Sequence, residues 1–215
     1  MKIGVLGTGV VGETIGAKLV ALGHEVKISG RAPVNDKAIA WAAKVGGKAS
    51  YGTFAEAAAF AELVFNCTKG EGAVDAVRAA REGLSGKILV DVTNPLDFSA
   101  GFPPTLFVSG TDSLGERIQR EVPEAKVVKA LNTINCNVMV DPARLGGASD
   151  VFVSGNDAEA KATVSRFLRE QFGWKEVVDL GDITTARGTE SYLPLWIRLM
   201  SALKTADFNV KLVRS

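Results

Sequence analysis

Six residues, Gly7-Thr8-Gly9-Val10-Val11-Gly12, stand between an apolar run, Lys2 to Leu6, and a helical pattern, Glu13 to Leu22. Glycines at this spacing, where a strand passes into a helix, constrain the chain to a strand-turn-helix unit in which each glycine has its own duty. Gly7 permits the tight turn, Gly9 lets the backbone approach a pyrophosphate, and Gly12 lets the helix pack closely on the strand. Unpaired N–H groups and the helix dipole then attract the anion to the helix start. The pattern predicts a binding site for a nicotinamide or flavin dinucleotide. A chance glycine-rich loop is the bland alternative, and the strand before and helix after weigh against it.

The end of the second strand, Glu25-Val26-Lys27-Ile28-Ser29, is where such a fold reads the adenosine ribose. An NAD site usually has Asp or Glu there, about 20 residues beyond the glycines. This chain has Ser29-Gly30-Arg31 instead. An acid would repel a 2′-phosphate, whereas a hydroxyl and a guanidinium can bond and neutralise it, and Lys37 adds a second cation. The expected dinucleotide is therefore NADP, bound by Ser29, Gly30, Arg31 and Lys37. The competing reading makes Arg31 a solvated loop residue and swings Asp36 back to the ribose.

Strand and helix signals alternate along most of the chain. That pattern predicts an α/β protein, a Rossmann-type doubly wound, mainly parallel sheet with a small C-terminal helical extension. Strands are expected at Val26–Ser29, Lys48–Tyr51, Leu63–Cys67, Lys87–Val92, Ala125–Leu131, Asp150–Ser154 and Lys175–Leu180. Helices are expected at Val34–Val45, from the capping box at Thr53-Phe54-Ala55-Glu56, and at Gly72–Arg81, Ser113–Glu121 and Asp157–Gln171, the last capped by Asn156 or Asp157. From Thr184 to Asp207 apolar residues recur at helical spacing, and Pro194 is expected to kink that stretch or to start a segment of it. The loop from Asn94 to Gly110 is too long for a mere connector. Residues 1–135 read as the NADP-binding domain and 136–215 as a portion that completes the sheet and covers the cofactor cleft.

At 215 residues, 47% of them hydrophobic, the chain can bury one sizeable core. Its 25 basic and 24 acidic residues nearly cancel and are scattered, which argues against nucleic acid or an anionic membrane surface as the main partner. No apolar stretch approaches the ~20 residues of a membrane helix. Cys67 and Cys136 have no paired spacing and read as free thiols in a reducing, cytoplasmic setting. With one histidine and no carboxylate cluster at ligand spacing, no metal site is expected.

Ligands of open parallel sheets bind beyond the carboxyl ends of the strands. Those positions are Asn66-Cys67-Thr68-Lys69, Thr93-Asn94-Pro95 and Leu131-Asn132-Thr133, all small or polar apart from Leu131. Cys67, Thr68, Lys69 and Asn94 are the candidates for the nicotinamide half, and Asn132 and Thr133 for the second substrate, although Asn and Thr also cap turns routinely. Lys129-Ala130-Leu131-Asn132 imitates the Lys-x-x-Asn spacing of β-hydroxyacid dehydrogenases, but on a strand the two side chains point to opposite faces. Lys129 is expected to be a solvated or strand-end lysine. His24, in the turn entering the second strand, reads as structural. No residue stands out as a general acid. Hydride transfer to a conjugated ring needs none, because the cofactors supply the reactivity and the protein the orientation. The loop after Asn94-Pro95 and the Tyr192-Leu195-Trp196 segment can line a cleft for stacked rings, a core or dimer-face role being the commoner fate of such aromatics.

These residues resemble the NADP oxidoreductase family that depends on coenzyme F420, the deazaflavin:NADP reductases, over essentially the whole chain. The likeness is carried by Met1–Gly9 with Gly12, the Leu22-Gly23-His24-Glu25-Val26 turn, Ser29 with Arg31, the Lys126–Thr133 strand and the Val153–Asp157 turn. The chain is also similar to the NADPH-binding domains of membrane metalloreductases, which pass hydride to a flavin. The resemblance implies that Thr8, Val10 and Val11 contact the pyrophosphate, that Ser29 and Arg31 take the 2′-phosphate, and that Thr68 and Lys69 lie near the nicotinamide. One departure is Asn132, where the archaeal deazaflavin enzymes carry His. The implied activity is hydride exchange between NADPH and a deazaflavin first, FMN or FAD second, by a homodimer. Two other classes remain: a reductase of a small organic substrate such as an imine, and a non-catalytic NADPH-sensing module.

Overall fold

The computed structural model describes residues 1–213. The strand β1 (Lys2–Leu6) turns through the glycines into α1 (Val10–Ala21), and β2 (Glu25–Gly30) returns beside it. The helix α2 (Asp36–Val45) starts at Asn35, whose side chain accepts from the Ala38 N–H, and leads to β3 (Ala49–Thr53). The expected capping box is present: Thr53 and Glu56 satisfy one another's backbone N–H groups and open α3 (Phe54–Phe60). There follow β4 (Leu63–Asn66), α4 (Gly70–Ala79), α5 (Arg81–Leu84) and β5 (Ile88–Asp91). The long loop beyond β5 folds into an antiparallel ribbon, β6 (Leu96–Asp97) with β7 (Thr105–Leu106). The chain continues through α6 (Leu114–Glu121), β8 (Lys126–Ala130), α7 (Cys136–Val140), β9 (Asp150–Ser154), α8 (Ala158–Phe167), β10 (Glu176–Asp179), α9 (Ala186–Ser191) and α10 (Leu193–Leu203).

Eight strands form one sheet in the order β10-β9-β8-β5-β4-β1-β2-β3. All neighbours are parallel except β8 and β9. The strand order reverses between β1 and β4, the switch point at which doubly wound sheets open a crevice. Side chains alternate faces along each strand. Ile3, Val5, Phe65, Val90 and Val128 pack with Ile15, Leu19, Trp41, Val138, Val164 and Phe167, so α1, α2, α7 and α8 cover one face. Leu6, Val64, Leu89 and Val127 pack with Ala57, Val77, Leu84, Ile118 and Ala186, so α3 to α6 and α9 cover the other.

The structure adds detail to the sequence reading, or departs from it, at several elements. The helix expected over Asp157–Gln171 is α8 only to Phe167; it widens into one π turn, Leu168–Phe172, and stops at Gly173, whose φ of 85° is open to glycine. Thr184–Asp207 is segmented, with Pro194 at the start of a helix, as one of the two expectations had it. It breaks into a 3-10 turn, Ile183–Thr185, then α9 and α10, with Pro194 in the first turn of α10. The five-residue α7 is too short to leave a helical period in the sequence. In the Tyr192-Leu195-Trp196 segment Leu195 is exposed and Trp196 stacks on Phe208, ring centres 5.2 Å apart. Among the described residues no helix is long and apolar enough to cross a membrane, and no group of three His, Cys, Asp or Glu residues is placed to hold a metal. Cys67 and Cys136 are free and buried. His24 bonds Gln171 at 3.1 Å, away from the strands' carboxyl ends.

Candidate dinucleotide and hydride-acceptor site

The three glycines occupy three different environments. Gly7 has φ 112°, and a Cβ there would stand 2.7 Å from the Cys67 carbonyl oxygen; at Gly12 it would stand 2.3 Å from the Gly7 oxygen. Both are glycine because backbone crowds them. Gly9 differs, since a Cβ there would meet nothing within 4 Å. It faces open space at the start of α1, where no side chain caps the helix and the first bond runs from the Glu13 N–H to the Gly9 carbonyl at 2.9 Å. The preceding N–H groups of the first turn are left for an outside acceptor. Backbone crowding at two glycines with space at the third fits a diphosphate seated on the helix end. Thr8, Gly9 and Val10 form its rim, and Val10 is 68% exposed.

At the end of β2 the expected residues separate. Ser29 is wholly buried, and its hydroxyl donates to the Val5 carbonyl at 2.9 Å, so it braces β2 against β1. Gly30 is confined by the Asn35 amide, 2.4 Å from where its Cβ would be. Arg31 is exposed and crosses the strand ends towards α4, its Nη2 3.8 Å from a Cβ built on Gly72. Lys37 lies in the first turn of α2 and lines the groove between α1 and α2 together with Thr8, Gly9 and Val10. Arg31 and Lys37 are both exposed beyond the end of β2, and Asp36 is exposed beside Lys37.

The inner cleft is lined by Val11, Cys67, Thr68, Lys69, Gly70, Val92, Thr93, Asn94, Leu96 and Phe98. The expected Val11, Cys67, Thr68, Lys69 and Asn94 come together here, and Leu96 and Phe98 come from the loop after Asn94-Pro95 that was expected to line a cleft; Val92 went unanticipated because it only continues a strand, with no motif. Thr68 donates its hydroxyl to Asn66 Oδ1 at 2.7 Å. Lys69 is paired with Glu71 at 2.8 Å and stands 5.7 Å from the centre of the Phe98 ring. Burial, and secondarily the charge of Asp91, pushes the Cys67 thiol far above its ordinary value, so this sulfur stays protonated and is no nucleophile. Asn132 and Thr133 are buried and absent from the lining. Asn132 reaches the cleft only through Asn94: Asn94 Nδ2 donates to the Asn132 carbonyl at 2.7 Å, and Asn132 Nδ2 donates to Asn94 Oδ1 at 3.0 Å. The left-handed Leu131, φ 65°, aims this segment.

Beneath the cleft lies a polar row with no counterpart in the sequence reading. The sheet register aligns Ser29 with Leu6, Leu6 with Asn66, Asn66 with Asp91, Asp91 with Lys129, and Lys129 with Ser154. All six are buried. Lys129, expected to be a solvated or strand-end lysine, stands near the end of β8 and is 1% exposed: Nζ lies 2.8 Å from Asp91 Oδ2 and 2.8 Å from Glu190 Oε1, and donates to the Thr93 carbonyl at 2.6 Å. Burial alone would lower its pKa, but Asp91 and Glu190 outweigh burial and hold it above the ordinary value. Glu190 also accepts from the Leu114 and Gly115 N–H groups at 2.7 and 2.9 Å, at the start of α6. Each member reads locally as an ordinary strand-end or helix residue; the one available signal was polar residues closing four apolar runs in succession. Lys129 and Asn132 share no helix, as expected, so the dehydrogenase-like pairing is absent.

A family model described as NADP oxidoreductase coenzyme F420-dependent matches residues 2–95. A solved structure from Arthrobacter sp. FB24, provisionally named an F420-dependent NADP-reductase, is 54% identical over the full length of both chains with a TM-score of 0.92. The chain belongs to the coenzyme F420-dependent NADP oxidoreductase family. Within the family, the F420-dependent NADP reductase of Methanothermobacter marburgensis is 29% identical over 93% of this chain and 92% of its own. The enzyme of the same name from Methanocaldococcus jannaschii is 30% identical over 63% of this chain and 60% of its own, so the chain spans under two thirds of that relative. Metalloreductase STEAP3 of Rattus norvegicus is 29% identical over 91% of this chain and 38% of its own, in keeping with the second resemblance.

Proposed function

We propose that this protein is an NADP(H)-dependent oxidoreductase that transfers hydride between NADPH and coenzyme F420. The observation that carries the reading is the pairing of Gly9, facing open space at an uncapped helix start, with Arg31 at the position where an NAD site has an acid. NADPH supplies hydride from nicotinamide C4, and the deazaflavin ring accepts it. The chain's own residues bind and orient. The first turn of α1 holds the pyrophosphate, Arg31 and Lys37 neutralise the 2′-phosphate, and Val11, Thr68 and Asn94 wall the nicotinamide. Phe98, 44% exposed at the cleft, offers a ring face against which a second conjugated ring can pack. Lys129 has all its donors spent and Cys67 keeps its proton, so neither serves as a proton donor.

The test is to incubate the protein with NADPH and, separately, F420, FMN, FAD, a ferric chelate and cyclic imines, following NADPH oxidation. Fast turnover with F420 alone is the expected result. Turnover only with an imine would move the protein to the organic-substrate class, and only with FMN or FAD to the flavin reductases. Tight NADPH binding with no acceptor turned over would make it a sensing module. We further assign residues 136–215 to completing the sheet and covering the cofactor side, with α10 as the face that meets a second copy. Leu195 and Leu203 on α10 are each 55% exposed, and Tyr192 Oη and Trp196 Nε1 beside them are buried without a partner among the described residues.

A further inference from the structure

Two carboxylates share one ammonium beneath the inner cleft. Asp91, Lys129 and Glu190 are 0%, 1% and 2% exposed. Every polar neighbour of the two acids is a donor: Asp91 takes the Asn66 amide, the Thr93 N–H and hydroxyl, and Lys129; Glu190 takes the Leu114 and Gly115 N–H groups and Lys129. Donors converge on both carboxylates and Lys129 bridges them, so with two carboxylates and one ammonium the trio carries one net negative charge. The dipole at the start of α6, worth about half a charge, offsets it in part. The cluster touches the cleft wall directly, because Lys129 donates to the carbonyl of Thr93, and Thr93 lines the cleft. Its field reaches the other wall too: Asp91 helps to raise the Cys67 thiol.

We propose that this buried trio makes the site favour the oxidised, cationic nicotinamide over the reduced, neutral one. The proposal rests on the inner cleft holding the nicotinamide. NADPH loses hydride, one proton with two electrons, to the acceptor ring and leaves a ring bearing one positive charge. The phosphates are the same in both forms, so contacts of Arg31, Lys37 and the α1 turn cancel in the ratio of affinities. Only the ring charge differs, and a buried negative charge acts on it with little screening. The trio therefore pulls the bound couple towards NADP⁺ and strengthens NADPH as the hydride donor.

The experiment measures dissociation constants for NADP⁺ and NADPH by titration of the whole protein and compares their ratio. In the wild-type protein NADP⁺ binds more tightly than NADPH. Glu190→Gln and Asp91→Asn each remove one negative charge at nearly constant volume, and each shifts the ratio towards NADPH on the order of three- to tenfold. Ala186→Gly loosens the same helix without changing charge and leaves the ratio where it was. A wild-type preference for NADPH, an unchanged ratio in the folded charge variants, or an equal shift in Ala186→Gly overturns the proposal. Should either charge variant fail to fold, the other and the wild-type ratio still decide. Failure of the wild-type protein to bind either form overturns the proposed function instead.

Discussion

Arg31 and Gly9 carry the sharpest claims because each has a single duty. A charge-assisted contact contributes roughly 1.5–3 kcal/mol, about one to two orders of magnitude in affinity. Arg31→Ala is expected to weaken NADP(H) by that factor and leave NAD(H) nearly unchanged, checked by titration with both dinucleotides. Equal losses would point to Asp36 as the reader of the ribose. Gly9→Val is expected to abolish dinucleotide binding while thermal unfolding stays near the wild-type temperature, since a Cβ there meets no atom within 4 Å. Gly12→Ala should behave in the opposite way. Its Cβ would fall 2.3 Å from the Gly7 oxygen, so the strand-helix contact must give and the melting temperature falls. A melting temperature lowered equally in both variants would refute the division of labour.

Two ionic contacts join α9 to the rest of the molecule, and they respond differently to perturbation. Lys129 links β8, β5 and α9 in the interior, where removing one partner strands the others. Lys129→Met is expected to cost about 3–5 kcal/mol, read from denaturant midpoints. Glu116 on α6 meets Arg187 on α9, with Nε donating to Oε2 at 2.9 Å. The Arg187 hydrogen bond, working against burial, holds the Glu116 carboxyl below the ordinary glutamate value of 4.5. Because the folded-state value is depressed, its stabilisation is complete above pH 4.5 and is lost as the pH falls through the folded value. Arg187→Met should therefore flatten the acid limb of the stability curve and leave its slope near neutrality unaltered, measured as the urea midpoint against pH. An unaltered acid limb would remove Arg187 from the account.

At the scale of the whole molecule, α10 is a thinly covered helix: of its eleven residues only Leu193 and Ile197 are buried. Burying Leu195 and Leu203 in a second copy predicts a dimer in sedimentation, and Leu195→Glu with Leu203→Glu should convert it to a monomer. A wild-type monomer would count against that face. The sequence by itself determined the doubly wound sheet, the glycine turn between β1 and α1, the Thr53 capping box and the guanidinium at the end of β2. Those features are local: periods of two and 3.6 residues and the steric needs of a turn act between near neighbours, so they are legible in order along the chain. Tertiary structure alone decided that Ser29 spends its hydroxyl on Val5, that Asn132 stands behind Asn94, and that Lys129 is buried between acids 38 and 61 positions away. A polar side chain's partner depends on which strands lie side by side and in what register. Asp91 faces Lys129 only because β5 pairs with β8, and Glu190 reaches them only because α9 folds back on α6.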